Sequence, residues 1–321
     1  MQYPHGIPPA IAVTAVMRCR IGIRERNVKK LLILLGVFGV SLSAPFVRIS
    51  TAPAMVLVVY RVTIAAALLL PYALLRNREE LRRMSGKTTV LCLTSGLFLG
   101  LHFTCYFEAI RHTSIASAVA LVDTEVFFVA VMMFLQLKER IPARAWGGIL
   151  LTFVGSLLIA MSDAGGGDNI LLGDLIALTG AACMAVYTMI GKVCRRELTT
   201  TAYTLLVYVS AALTVLVILL IRGTPLLGYE PVNWLAALGM AVFCTLLGHS
   251  VFSWGLKYES PAFISTVKLL EPVFAGLLGV LLFKEIPKTQ VILGGCTIIL
   301  GVYVYSRFSE SRGDTAEQAS D

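Results

Sequence analysis

The sequence predicts an all-α membrane protein of ten transmembrane helices, arranged as two inverted five-helix repeats. Three observations carry this: an apolar composition, ten long apolar runs, and a second half that repeats the first. Of 321 residues, 57% are hydrophobic and only 14% charged, and the mean hydropathy is +0.81. Soluble domains hold about 45–50% apolar and about 25% charged residues, so the bilayer is the expected solvent and partner. A net charge of +8 would suit nucleic acid, but the basic residues lie mostly in short loops between apolar runs, which reads as membrane orientation instead. Seven cysteines (Cys19, Cys92, Cys105, Cys183, Cys194, Cys244, Cys296) show no CxxC and no paired spacing. They are read as small apolar packing residues, with no disulfide framework, metal site or cofactor expected.

A bilayer-spanning helix needs about 20 mainly apolar residues. Residues 1–30 form an N-terminal extension: "IPPAIAVTAVM" is too short to span, and arginines follow it, the reverse of a secretory signal. It is read as a flexible or interfacial arm lying upstream of an alternative start at Met17. Spans are expected at 31–49, 53–75, 88–110, 115–137 and 144–161, then at 171–191, 202–221, 233–255, 262–283 and 289–306. The first repeat therefore covers 31–161 and the second 171–306, with a linker at 162–170 and a tail at 307–321. "SDAGGGDN", Ser162–Asn169, is the clearest break.

The repeat is visible without gaps when residues 109–155 slide by 146 positions. Arg111 then meets Lys257, Ser114 meets Ser260, Ala116 meets Ala262, Glu125 meets Glu271 and Phe128 meets Phe274. Lys138-Glu139 meets Lys284-Glu285, and Gly148 and Gly155 meet Gly294 and Gly301. Charges matched in such apolar surroundings weigh more than matched leucines. Five is odd, so the second copy must enter the bilayer from the opposite side. With both termini cytoplasmic, about 20 Lys and Arg fall on cytoplasmic segments and about five (Arg48, Arg111, Arg222, Lys284, Lys288) outside, as the positive-inside rule requires. Inverted repeats are a common architecture of secondary transporters, with the binding site near the midplane between the repeats.

The paired stretches "EAIRHTSIASAVALVDTEVFFVAVMMFLQLKERI" and "GLKYESPAFISTVKLLEPVFAGLLGVLLFKE", followed by "GGILLTFVGSLLI" and "GGCTIILGVYVY", resemble the drug/metabolite transporter superfamily in its ten-helix EamA-type form. The resemblance covers roughly residues 31–306. It implies exchange or export of small polar metabolites by alternating access, at the cell's inner (plasma) membrane. The family usually has a proline two residues before the aromatic of helix four. Pro272 keeps it in helix nine, whereas Val126 replaces it in helix four, so no proline-dependent kink carries over to the first half.

Glu125 and Glu271 each lie about ten residues into a span, which at about 1.5 Å per residue is near mid-membrane. An ionised carboxylate there costs roughly 2.5–3.5 kcal/mol and persists by facing a wet cavity, by pairing or by taking a proton. Both are candidate substrate-binding or proton-coupling residues, suited to a cationic or zwitterionic substrate. Asp123, two positions before Glu125, falls on another face. Lys268 precedes Glu271 by three, so the two would either neutralise each other or leave Lys268 to meet a substrate carboxylate. His102 and His249 lie in apolar helices beside aromatics and are candidate proton relays or satisfied structural donors. Tyr106 and Trp254 could stack on an organic cation. Arg61 would pair with Glu108 or snorkel. Gly96 and Gly100 form a GxxxG that supports packing or a homodimer. Lys138-Glu139 and Lys284-Glu285 are read as solvated helix-end pairs.

The functional expectation is a secondary transporter of amino acids, their derivatives or organic amines, and not an enzyme. No GxxxxGK[ST] is present. The alternative is an integral membrane enzyme acting on lipid or isoprenoid substrates, but no HxxxH or DxxxD is found and the acids are mid-span.

Overall fold

The computed structural model describes residues 27–113, 115–161, 169–284 and 286–309. The N-terminal arm to residue 26, Ser114, residues 162–168 of the linker, Glu285 and the tail from residue 310 lie outside the described residues.

Ten helices follow the ten apolar runs. They are α1 (Asn27–Ile49), α2 (Ala54–Arg76), α3 (Gly86–His112), α4 (Ala118–Leu137) and α5 (Ala143–Met161), then α6 (Ile170–Cys194), α7 (Thr200–Ile221), α8 (Pro231–Gly255), α9 (Pro261–Phe283) and α10 (Thr289–Ser309). Among the described residues nine are long and apolar enough to cross a bilayer, and α5 supplies a shorter apolar stretch. Their starts are set by local chemistry. The side chains of Ser85, Asn169, Thr199 and Ser260 accept from backbone N–H groups in the first turns of α3, α6, α7 and α9. The outer faces stay apolar: Leu213, Val217 and Leu220, at helical spacing on α7, are each more than half exposed. Such a stripe suits lipid and not water.

The two halves run in opposite directions, and the α5–α10 crossing shows it. A Cβ added at Gly155 would lie 2.7 Å from the Gly294 carbonyl, and one at Gly294 would lie 2.6 Å from the Gly155 carbonyl. Gly148 and Gly301 stand in the same relation, 2.8 Å each way. Because Gly148 corresponds to Gly294 and Gly155 to Gly301 in the 146-residue repeat, each glycine meets the counterpart of its own neighbour. Only a two-fold axis between antiparallel helices produces that reciprocity. Other interfaces obey the same exchange. α3 packs on α6 and α7, as α8 packs on α1 and α2, and α4 packs on α6 as α9 packs on α1.

Gly96 and Gly100 are spent inside the chain, where they admit the α7 backbone and side chains at Val207, Ser210 and Thr214. The GxxxG is thus an α3–α7 contact and not a free face for a second copy. Lys138 and Lys284 end α4 and α9 with φ of 57° and 56°, the left-handed turn that closes a helix. The repeated lysine is therefore a helix stop in both halves.

Between Met240 and His249, α8 widens into a π-helical stretch. Its Thr245 carbonyl accepts from the Ser250 N–H and from Tyr208 Oη at 3.1 Å. Such stretches are rare and frequent at functional sites.

Candidate functional site

Two helices break in mid-span, each one residue before a glutamate. In α4 the backbone tightens at Thr124, whose N–H and hydroxyl both donate to the Leu121 carbonyl, at 3.2 and 2.5 Å. In α9 Leu269 and Leu270 donate to Thr266 and Val267, at 3.2 and 3.1 Å, in the same three-residue pattern. Pro272 has no N–H to continue the ladder there. Glu125 and Glu271 occupy the first turns of the new segments. The positive end of a helix dipole favours a carboxylate at that place.

The two acids then diverge. Glu125 is buried and accepts from Ser265 Oγ at 2.7 Å and from Lys268 Nζ at 2.5 Å. Glu271 is only partly buried, and its carboxylate takes no hydrogen bond or ion pair from the described residues. Its main-chain carbonyl accepts from Ser41 Oγ at 3.2 Å. The expected Lys268–Glu271 pair is not formed. Residues three apart share a face only on a continuous helix, and the break at Leu269–Leu270 lies between them.

Arg61, from α2, is 4% exposed and lays its guanidinium over the Phe103 ring at 4.3 Å. Its Nε has no hydrogen-bond partner. It does not meet Glu108, which instead binds Arg222 at 2.5 Å and Arg111 at 3.5 Å at the far end of α3. Arg61 instead lies against Phe103, five residues before Glu108 on α3, and Arg222 of α7 takes the Glu108 carboxylate. His102 and His249 flank Phe103, with ring centroids 5.4 and 5.6 Å away. His102 Nδ1 donates to the Gly180 carbonyl at 3.0 Å, while His249 Nδ1 has no partner. The charges of Arg61, Lys268, Glu125 and Glu271 act on one another and on the histidines, so all belong to one cluster.

Tyr106, one turn beyond His102, lies within reach of the Glu271 and Asp123 charges. Trp254, at the end of α8, stands apart from it, tilted against Tyr258 at 4.9 Å, itself covered by Lys29 at 4.4 Å. Asp123 accepts from Ser156 Oγ.

Several members were not legible as site residues. Phe103 is the hub of the aromatic and cationic groups, Ser265 completes the Glu125 pair, and Tyr187 stands 6.4 Å from His249 with its Oη 3.1 Å from Ser253 Oγ. A usable signal existed for two of them: Ser253 is one turn from His249, and Ser265 is three residues before Lys268.

A cleft of about 660 Å³ opens between α2, α3 and α7, lined by Met55, Phe107, Glu108, Arg111 and Arg222 among others. Along α3 it ends one turn from Phe103. Along α2 its nearest lining residue is Met55, six positions from Arg61, about 9 Å at helical rise. The cleft lies at one end of the bundle, on the α2 and α3 segments that continue to the charged centre.

Apolar helices in two opposed halves, broken at midspan around buried charge with a cleft at one end, are the architecture of a membrane transporter. The EamA-like transporter family model matches residues 29–161 and matches again over 171–307. The chain belongs to that family. An uncharacterised transporter of Clostridium kluyveri is 24% identical over 80% of this chain and 85% of its own length. The pseudopaline exporter CntI of Pseudomonas aeruginosa is 27% identical over 80% of this chain and 88% of its own. A WAT1-related protein of Arabidopsis thaliana is 23% identical over 84% of this chain and 80% of its own. A solved crystal structure shares the fold with a TM-score of 0.75 at 18% identity, over 88% of this chain and all but 1% of the other.

Proposed function

We propose that this transporter is a secondary carrier that exports or exchanges small polar metabolites, of the amino acid or organic amine class. It works in the inner membrane with both termini in the cytoplasm, and spans 1–5 rock against 6–10 around the charged centre. The observation that carries this reading is the pair of broken helices with one acid neutralised and the other open. Lys268 satisfies Glu125, which leaves Glu271 to meet a substrate cation or a proton. An unpartnered acid at that depth is costly unless something mobile visits it. A relative named as an exporter supports the export direction. In this topology the cleft beside Arg111 and Arg222 faces outward and serves as a vestibule.

The test is flux of labelled amino acids and amines in proteoliposomes. The parent should move at least one of them, and Glu271→Gln should lose at least tenfold of that rate while keeping the yield and melting temperature of the parent. Unchanged flux in Glu271→Gln would remove the open carboxylate from the mechanism.

A further inference from the structure

The centre of the molecule contains two buried cations, and only one has a partner. Lys268 is in contact with Glu125 at 2.5 Å. Arg61 is as deeply buried, yet among the described residues its Nε has no hydrogen-bond partner and it enters no ion pair. A guanidinium does not shed its proton in a protein, so this positive charge is permanent. An unpaired buried ion is destabilising, and in a membrane span such a residue marks a ligand path by default. Phe103 covers one face of the guanidinium at 4.3 Å. The unpaired Nε lies on the guanidinium edge that can bind a carboxylate in two-point fashion. Glu271 is an acid of the same cluster that takes no ion pair from the described residues, and the Arg61 charge acts on it.

We propose that Arg61, seated on Phe103, anchors the carboxylate of a zwitterionic substrate whose cationic group goes to Glu271. This rests on the transport reading above and assigns its substrate class: molecules that carry both charges, not simple amines. Lys268, the other cation of the cluster, lies beyond the break and is taken by Glu125, which leaves Arg61 to meet a carboxylate. His249, with Nδ1 unpaired beside Phe103, lies next to the same space.

The experiment measures binding to purified protein by thermal shift and calorimetry, with matched triplets. One triplet is leucine, isoamylamine and 4-methylpentanoate; another is phenylalanine, phenethylamine and 3-phenylpropionate; further triplets carry polar side chains. At least one zwitterion should bind, with its amine and its acid each at least tenfold weaker. Arg61→Gln should abolish that binding, and Arg61→Lys should retain a weakened form of it. The triplet comparison uses the unaltered protein, so it stands even if Arg61→Gln fails to fold. The proposal is overturned if an amine binds as tightly as its amino acid, if Arg61→Gln keeps the affinity of the parent, or if no triplet binds. Flux of an amine that depends on Glu271 but not on Arg61 would leave the transport reading intact and remove this one alone.

Discussion

Replacing Lys268 by Met tests the geometry of the charged centre most directly. The side chains of Lys268 and Glu125 are only 12% and 9% exposed. That places the pair among buried ion pairs, where losing one partner costs about 3–5 kcal/mol, and not among surface pairs worth about 0–1 kcal/mol. Ser265 keeps its 2.7 Å bond to Glu125 in the variant, so the lower end of that range, about 3 kcal/mol, is expected. Removing both charges, in Lys268→Met with Glu125→Gln, should restore most of the stability, because a matched apolar and amide pair leaves no orphaned ion. Reversible unfolding in mixed detergent micelles, run as a double-mutant cycle, would read a coupling of about 2–3 kcal/mol between the two positions. A second cycle between Lys268 and Glu271, which do not touch, should give less than about 1 kcal/mol. The ordering of these two cycles decides the matter. If Lys268 couples more strongly to Glu271 than to Glu125, the helix break does not separate them, and the open acid on which the function rests is not open.

Four further variants probe the scaffold. Gly155→Ala puts a methyl group 2.7 Å from the Gly294 carbonyl and the Ile298 nitrogen, so α5 and α10 must separate, at a cost of about 1–3 kcal/mol in the same unfolding assay. Gly294→Ala should lose a similar amount, whereas Gly147→Ala, with nothing within 4 Å, should be neutral; a Gly155→Ala protein as stable as the parent would contradict the antiparallel crossing. Asn233, fully buried, accepts from Ser50 Oγ at 2.6 Å and from the Thr51 and Ala52 N–H groups at 2.9 Å each. Asn233→Leu should therefore strand the Thr51 N–H while Ala52 keeps its 3.1 Å bond to Ser50 Oγ, cost about 1–3 kcal/mol and speed hydrogen exchange at Thr51, and unaltered protection of that amide would refute the role.

The helices were readable because each apolar run is as long as a bilayer is thick, and every observed limit falls close to its expected one. The break in α9 announced itself through Pro272. The one in α4 did not, because Val126 stands where the proline would be and the Thr124 hydroxyl does the work of turning the chain. Charge partners were the least legible feature. A helical face rule pairs neighbours in sequence, and so it joined Lys268 to Glu271. The fold pairs Lys268 with Glu125, 143 residues away. Glu108 likewise finds Arg222 across α3 and α7, 114 residues away. The hub role of Phe103 was invisible because in an apolar helix one phenylalanine looks like another until its neighbours are known.

The scaffold is two-fold and the chemistry is not, and that difference bears on how a substrate would be oriented. Both halves keep the glutamate at the helix break. Lys268 has Val122 as its counterpart, and Arg61 has Val207 on α7, both apolar. Each cation is therefore unique to one half. A symmetric pocket would accept a ligand equally in two opposed poses. With Lys268 closing one acid and Arg61 left facing the other, only one pose matches both charges. A zwitterion that bridges Arg61 and Glu271 then brings no net charge to a centre where net charge is costly. An amine without a carboxylate would satisfy Glu271 and still leave the guanidinium unpaired, so the energy that favours the zwitterion comes from the residue the second half does not duplicate.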